Sequence, residues 1–211
     1  MALDESFSSP SVHLLNTQYR MHPDIGNLIS HLYYQGLLQN GVTELDRVFI
    51  TASRPESGKA IVVKDLKGFS RCKRSECSYS RINEKSAEVV IECIEQIEED
   101  LNIGIITPYA DQAKYLLQLI KDKKLDDKRI ECSTIHRFQG NERDIIIIDL
   151  TDAEPLEPGL LVRGTHGRNL LNVAVSRSRG KVIVIGEIEY FRKEASGSPV
   201  VELLDRMLIQ S

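Results

Sequence analysis

No stretch of the 211-residue sequence approaches the roughly 18 uncharged apolar residues needed to span a membrane. Residues 1–10, MALDESFSSP, also lack the basic start and apolar centre of a secretory signal. An intracellular, cytoplasmic protein with no membrane partner is therefore expected. Positive charge is not in excess either: 27 Lys and Arg stand against 31 Asp and Glu, a net charge of −4. That excludes coating of nucleic acid by bulk charge but leaves room for a local basic groove. Cysteine is sparse. The four residues, at 72, 77, 93 and 132, form no C-x-x-C pair, and of the histidines only His136 falls within a few positions of any of them. A zinc site would lack ligands, so no metal is expected and the set reads as free thiols.

Phosphate-binding machinery is missing as well. A phosphate loop, G-x-x-x-x-G-K-[ST], cradles phosphates on backbone amides and holds magnesium through its hydroxyl. The nearest candidate, residues 53–60 (SRPESGKA), has no glycine at the first position and alanine at the last, and it precedes a strand where the motif must follow one. The run IIIIDL at 145–150 resembles a strand ending in a magnesium-binding Asp, but Leu150 stands where a catalytic Glu would follow. Asp149 reads instead as a carboxylate capping the strand end. A self-sufficient nucleotide hydrolase is not expected.

What is present organises into one α/β domain, expected over residues 1–211 with 1–11 as a lead-in; 41% hydrophobic residues suffice for one core. Continuous apolar runs at 60–64 (AIVVK), 103–107 (IGIIT), 145–149 (IIIID) and 181–186 (KVIVIG) predict strands buried on both faces. Between the first two, Ala87, Val90, Ile91, Ile94 and Ile97 mark one face of a helix over 84–100. After Pro108, Ala113, Leu116, Leu117 and Ile120 repeat that spacing until a charged run over 121–129. Further helices are predicted at 24–34 and 200–209, and aperiodic loops at 38–57 and 68–81. Strand, helix, strand, helix is the pattern of a parallel sheet covered on both sides, with ligands expected beyond the carboxyl ends of its strands.

Four motifs carry the chemistry: QYRMHP at 18–23, TPYADQ at 107–112, STIHRFQGNERD at 133–144 and NVAVSRSR at 172–179. In this order and spacing they resemble the second, C-terminal RecA-like motor domain of superfamily 1 helicases. The branch is the one typified by the nonsense-mediated-decay RNA helicase and related DNA helicases. The resemblance covers residues 12–209 and implies a RecA-like three-layer sandwich with a central, mainly parallel sheet that lacks its own phosphate loop. It also implies ATP with Mg²⁺ held mainly by a separate N-terminal RecA-like lobe, and single-stranded DNA or RNA as the other partner. Arg20 and Arg177 would be arginine fingers, whose delocalised guanidiniums suit the charge built up in phosphoryl transfer. Gln18, Tyr19, Gln139, Gly140 and Glu142 would lie on the nucleotide side. Thr134 and His136, on the opposite flank of the same loop, and Thr107 and Gln112 would contact the strand backbone, without reading its sequence.

Not every landmark matches. The family's N-x-x-E-A appears as Asn83-Glu84-Lys85-Ser86-Ala87, so Ser86 replaces the Glu and Asn83 is left as a helix cap. Between residues 64 and 81, six basic residues (Lys64, Lys67, Arg71, Lys73, Arg74, Arg81) meet only Asp65 and Glu76, which suits either solvated charge or a salt-dependent strand contact. The short acidic lead-in suggests a segment of a larger protein; the competing reading is a non-catalytic module that binds nucleic acid or a partner helicase. The isolated chain is expected to lack ATPase activity.

Overall fold

The structure, a computed structural model, describes residues 15–76, 78–126, 128–138, 140–162 and 164–210. Strand β1 (Thr17–Gln18) leads into α1 (Pro23–Tyr33), and β2 (Gln39–Asn40) pairs in parallel with β1. A 3₁₀ turn over Leu45–Arg47 continues into the short α2 (Val48–Thr51). Then follow β3 (Ile61–Asp65), the two-stranded antiparallel β4 (Lys73–Arg74) and β5 (Arg81–Ile82), α3 (Glu84–Gln96), β6 (Ile103–Thr107) and α4 (Ala110–Asp122). The chain closes with β7 (Ile130–Thr134), β8 (Arg143–Asp149), α5 (Gly164–Ser176), β9 (Ser178–Gly186), α6 (Ile188–Glu194) and α7 (Pro199–Gln210).

Five strands make one parallel sheet in the order β3-β9-β8-β6-β7. Side chains alternate across a strand, so Ile145, Ile147, Ile183 and Ile185 join the cluster under α3 and α4, while Ile146, Ile148, Val182 and Val184 join the one under α1, α5 and α7. That double burial is why the strands read as unbroken apolar runs, and the expected three-layer α/β sandwich is present. Helix starts follow local chemistry. Pro23 sits in the first turn of α1 behind a His22 cap, and the Asn83 side chain accepts from Ser86 N at 3.1 Å to cap α3, as expected.

The structure departs from the sequence reading in five places, the first being the expected loop at 38–57, which contains β2, the 3₁₀ turn and α2. β7 was hidden because it is a half-buried edge strand, Ile-Glu-Cys-Ser-Thr, directly behind a charged run. Residues 164–176 form α5, whose Gly and polar start masks the buried Leu170, Leu171, Ala174 and Val175. α3 stops at Gln96; Ile97 turns to ψ 106° yet stays buried. The expected loop at 68–81 contains the paired strands β4 and β5. The failed phosphate-loop candidate is a turn that offers carbonyls rather than amides. The fully buried Lys181 ammonium donates to the carbonyl oxygens of Ser53, Pro55 and Glu56, and burial lowers its pKa to about 8.

Candidate functional site

Three of the four motifs converge at the amino ends of β8 and β9, where Arg143 and Ser178 stand in register. Arg143 N donates to Arg177 O at 3.1 Å, and His22 N donates to Arg179 O at 2.7 Å, which pins the β1–α1 loop against the start of β9. Across this junction Arg20 Nε donates to Glu142 Oε2 at 2.6 Å and Arg20 Nη1 to Ser176 O at 3.2 Å. Arg177 lies beside them with a buried Nε that has no hydrogen-bond partner. Burial lowers its pKa first and the charge of Arg20 second, with Glu142 opposing. Two guanidiniums against one carboxylate, one of them partly desolvated and short of an acceptor, form a site that favours an anion with several oxygens. The motif residues expected beyond carboxyl ends thus include a set at the opposite edge, because Glu142 and Arg177 immediately precede β8 and β9 and the loop carrying Arg20 packs against the start of β9.

The loop that carries Tyr19 and Arg20 is held from two sides. The Gln18 amide is spent on its own loop and on β2: Oε1 accepts from Arg20 N at 2.9 Å and Met21 N at 2.7 Å, and Nε2 donates to Met21 O and Asn40 Oδ1. It therefore shapes the site rather than projecting into it. Arg47, which sequence reasoning missed inside an aperiodic segment, donates from Nε to Arg20 O and from Nη2 to Tyr19 O, both at 3.1 Å. Tyr19 stays 69% exposed, and its ring lies so close over Gly41 that a Cβ there would sit 2.2 Å from Cε1. Gly140 adopts φ +90° with open space around it, a left-handed conformation that favours glycine. Gln139 lies outside the described residues.

At the carboxyl edge the expectations split. Thr134 ends β7, and the exposed His136 two residues on stacks against His166 at the start of α5, ring centroids 5.9 Å apart. Thr107 and Gln112, expected to contact a strand, are fully buried, which corrects that reading. Thr107 Oγ1 bonds Thr151 Oγ1 at 2.8 Å. Gln112 Nε2 donates to Asp149 Oδ2 at 2.6 Å, Asn83 O and Ser86 Oγ, while its Oε1 accepts from Asn83 N. Gln112 shares its helix face with Leu116 and Ile120, four and eight residues on, and that spacing was the available signal of burial. Asp149 caps its strand end as expected, accepting from Thr151 N at 2.9 Å; burial raises its pKa to about 6 against the pull of these donors.

Magnesium finds no obvious home at the arginine pair, since Glu142 is already ion-paired and the described residues contain no group of three or more His, Cys, Asp or Glu that could hold a metal. A polyphosphate fits the pair better, because it would supply the acceptor that Arg177 Nε lacks. Cys72, Cys93 and Cys132 are buried free thiols, their pKa values pushed up to about 11, 11 and 12 by burial; Cys77 lies outside the described residues. Among the described residues no helix is long and apolar enough to cross a membrane.

The profile of a family described as "AAA domain" matches residues 2–189. The sequence is 34% identical over 200 residues to the DNA polymerase alpha-associated DNA helicase A of Saccharomyces cerevisiae, covering 86% of this chain and 28% of that protein. It is 29% identical over 189 residues to the ATP-dependent helicase upf1 of Schizosaccharomyces pombe, covering 86% and 20% respectively. To helicase sen1 of the same yeast it is 28% identical, over 99% of this chain and 13% of that protein. The chain thus spans less than a third of the length of these curated relatives.

Proposed function

The chain belongs to the AAA domain family, with superfamily 1 helicases among its homologues, and on that footing we propose that it serves as the C-terminal motor lobe of an ATP-dependent helicase. In this reading ATP and Mg²⁺ are held mainly by an N-terminal RecA-like lobe of the same parent protein. This lobe contributes Arg20 and Arg177 as arginine fingers, Tyr19 as a flat face for the nucleotide base or ribose, and Glu142 as the carboxylate that holds Arg20 in place. Single-stranded DNA or RNA is gripped at the other edge of the sheet, where Thr134 and His136 stand.

The observation that carries the reading is the Arg20–Glu142–Arg177 cluster with its unbonded guanidinium Nε. Phosphoryl transfer to water spreads negative charge over the transferred oxygens, and fixed guanidiniums stabilise it without reorganising. Closing two lobes over the nucleotide would desolvate these charges further and strengthen them. In the two-lobed parent, Arg20→Ala or Arg177→Ala should lower hydrolysis by ~10³ or more, the usual worth of an arginine finger, and leave strand binding intact. Full hydrolysis in both variants would remove the finger roles. The isolated chain should hydrolyse no ATP, since its one phosphate-loop candidate presents carbonyls to a lysine.

A further inference from the structure

Burial of Thr107 and Gln112 leaves the carboxyl edge of the sheet without two of the side chains expected to meet a nucleic-acid strand. We infer that residues 67–76 and 78–81 supply the missing contact: Phe69 and Tyr79 stack on bases of a single strand while Lys67, Arg71 and Arg74 face its phosphates. This rests on the helicase reading above and names a binding surface within it.

The path of the segment supports the assignment. It leaves β3 at one side of the sheet, and Gly68 N and Ser70 N donate to the Glu187 carboxylate just past β9 at 2.5 and 2.8 Å. Cys72 N then donates to Glu154 O, beyond β8, and Ser78 Oγ meets Asp111 Oδ2 at 2.5 Å in the first turn of α4, beyond β6. The segment therefore crosses the carboxyl ends of β9, β8 and β6 in turn and lies transverse to the strands, towards the side where Thr134 and His136 stand. At about 4.8 Å per strand, the span from β3 to β7 is roughly 19 Å, long enough to track several nucleotides of backbone.

Its surface has the composition such a track needs. Phe69 is 79% exposed and Tyr79 is 92% exposed, both on a segment anchored by backbone and carboxylate bonds rather than by packing of those rings. Exposed rings held on a fixed frame offer stacking faces at little entropic cost. The charge is segregated too. Residues 64–81 hold six cations against two anions, +4, within a chain of net −4, so the remainder carries −8. Some of these cations are neutralised from outside: Lys64 pairs with Glu56, Lys73 with Glu84 and Arg81 with the buried Asp152. Arg71 bonds only the neutral carbonyls of Gly68 and Ser70, and Lys67 and Arg74 form no ion pair among the described residues, so three charges remain to face solvent.

The test is affinity of the full-length parent for fluorescent homopyrimidine DNA and RNA oligonucleotides, measured across a salt series. Phe69→Ala and Tyr79→Ala should each weaken binding roughly five-fold or more, Tyr79→Phe should bind normally, and Tyr79→Leu should behave like the alanine variant because stacking needs a ring. Arg71→Gln with Arg74→Gln should weaken binding and lower the slope of log affinity against log salt by about 1 to 2. All these side chains are exposed, so melting temperature and strand-independent ATPase should not change. Normal affinity in every variant, including the outcome that the loop docks a protein instead, overturns the inference while leaving the helicase reading in place. A parent that binds no strand at all overturns both.

Discussion

At the amino ends of β8 and β9, Arg20 holds the Glu142 carboxylate and the neighbouring Arg177 has a buried Nε without an acceptor. At the carboxyl end of β8 the opposite holds: the buried Asp149 collects donors from Gln112 and Thr151, and Gln112 spends every polar atom on Asn83, Ser86 and Asp149. Both places hold polar side chains from the same set of motifs. One is electrostatically incomplete and half-exposed, the other complete and dry. The first kind of site has free energy left to give to a ligand, while the second has already spent it on folding. A motif residue's chemistry does not reveal which kind it belongs to; its hydrogen-bond partners do.

The largest expected effect sharpens this contrast by separating activity from stability. Arg177→Leu in the two-lobed parent should cost ~10³ in hydrolysis. Yet the same change in this chain should leave the melting temperature unchanged or higher, because it removes a desolvated charge that Arg20 repels. A clear fall in melting temperature would mean that the arginine pair is structural after all.

The carboxyl edge should respond through stability, and through pH. Asp149 has its pKa raised to about 6 by burial, above the ordinary carboxylate value, so between about pH 4 and pH 6 the folded state binds more protons than the unfolded one. Its contribution is therefore fully present below about pH 4, is lost as pH rises through about 6, and amounts to something on the order of 3 kcal/mol. Carboxylates with lowered values, such as Asp111 at about 2 and Glu56, push the other way, so the measurable quantity is a difference. In denaturant titrations of the native chain and Asp149→Asn from pH 4 to pH 7, the native chain should lose stability relative to the variant as pH rises, because the asparagine removes the buried charge. Parallel stability curves would show that Asp149 does not titrate in this range.

Much of this fold was legible because burial on both faces writes strands as unbroken Val and Ile runs, as in residues 145–148 and 182–185. β7 was not, since an edge strand needs apolar residues on one face only, and α5 was not, since packing of Leu170, Leu171 and Ala174 overrides the poor helix formers at its start. Arg20, Arg177 and Glu142 were singled out through the resemblance, and the structure brings them together. Their edge of the sheet was not legible, because a residue that precedes a strand and one that follows it look alike until the crossovers are traced. Gln112 was placed at a strand contact by the resemblance, although its spacing from Leu116 and Ile120 puts it on the buried stripe of α4.

Arg47 is the residue that sequence offered no reason to single out, and it gives the smallest effect expected here. Its guanidinium holds the carbonyls of Tyr19 and Arg20 on one side of a loop whose amides Gln18 holds on the other, so the exposed ring and the Arg20 guanidinium leave a fixed backbone. Arg47→Met keeps the apolar stem and deletes both bonds, each worth about 1 kcal/mol. If Arg20 acts as proposed and the loop's order sets its aim, the loss should appear as roughly ten-fold slower hydrolysis with a raised KM for ATP in the two-lobed parent. Strand affinity, assigned above by proposal to the other edge, should not move. Arg47→Lys should fail to rescue, since one ammonium does not reproduce a planar fork directed at two carbonyls. Equal losses in strand affinity and in melting temperature would make Arg47 a general prop of the domain. Full rescue by lysine would show that its charge, not its geometry, is what the loop uses.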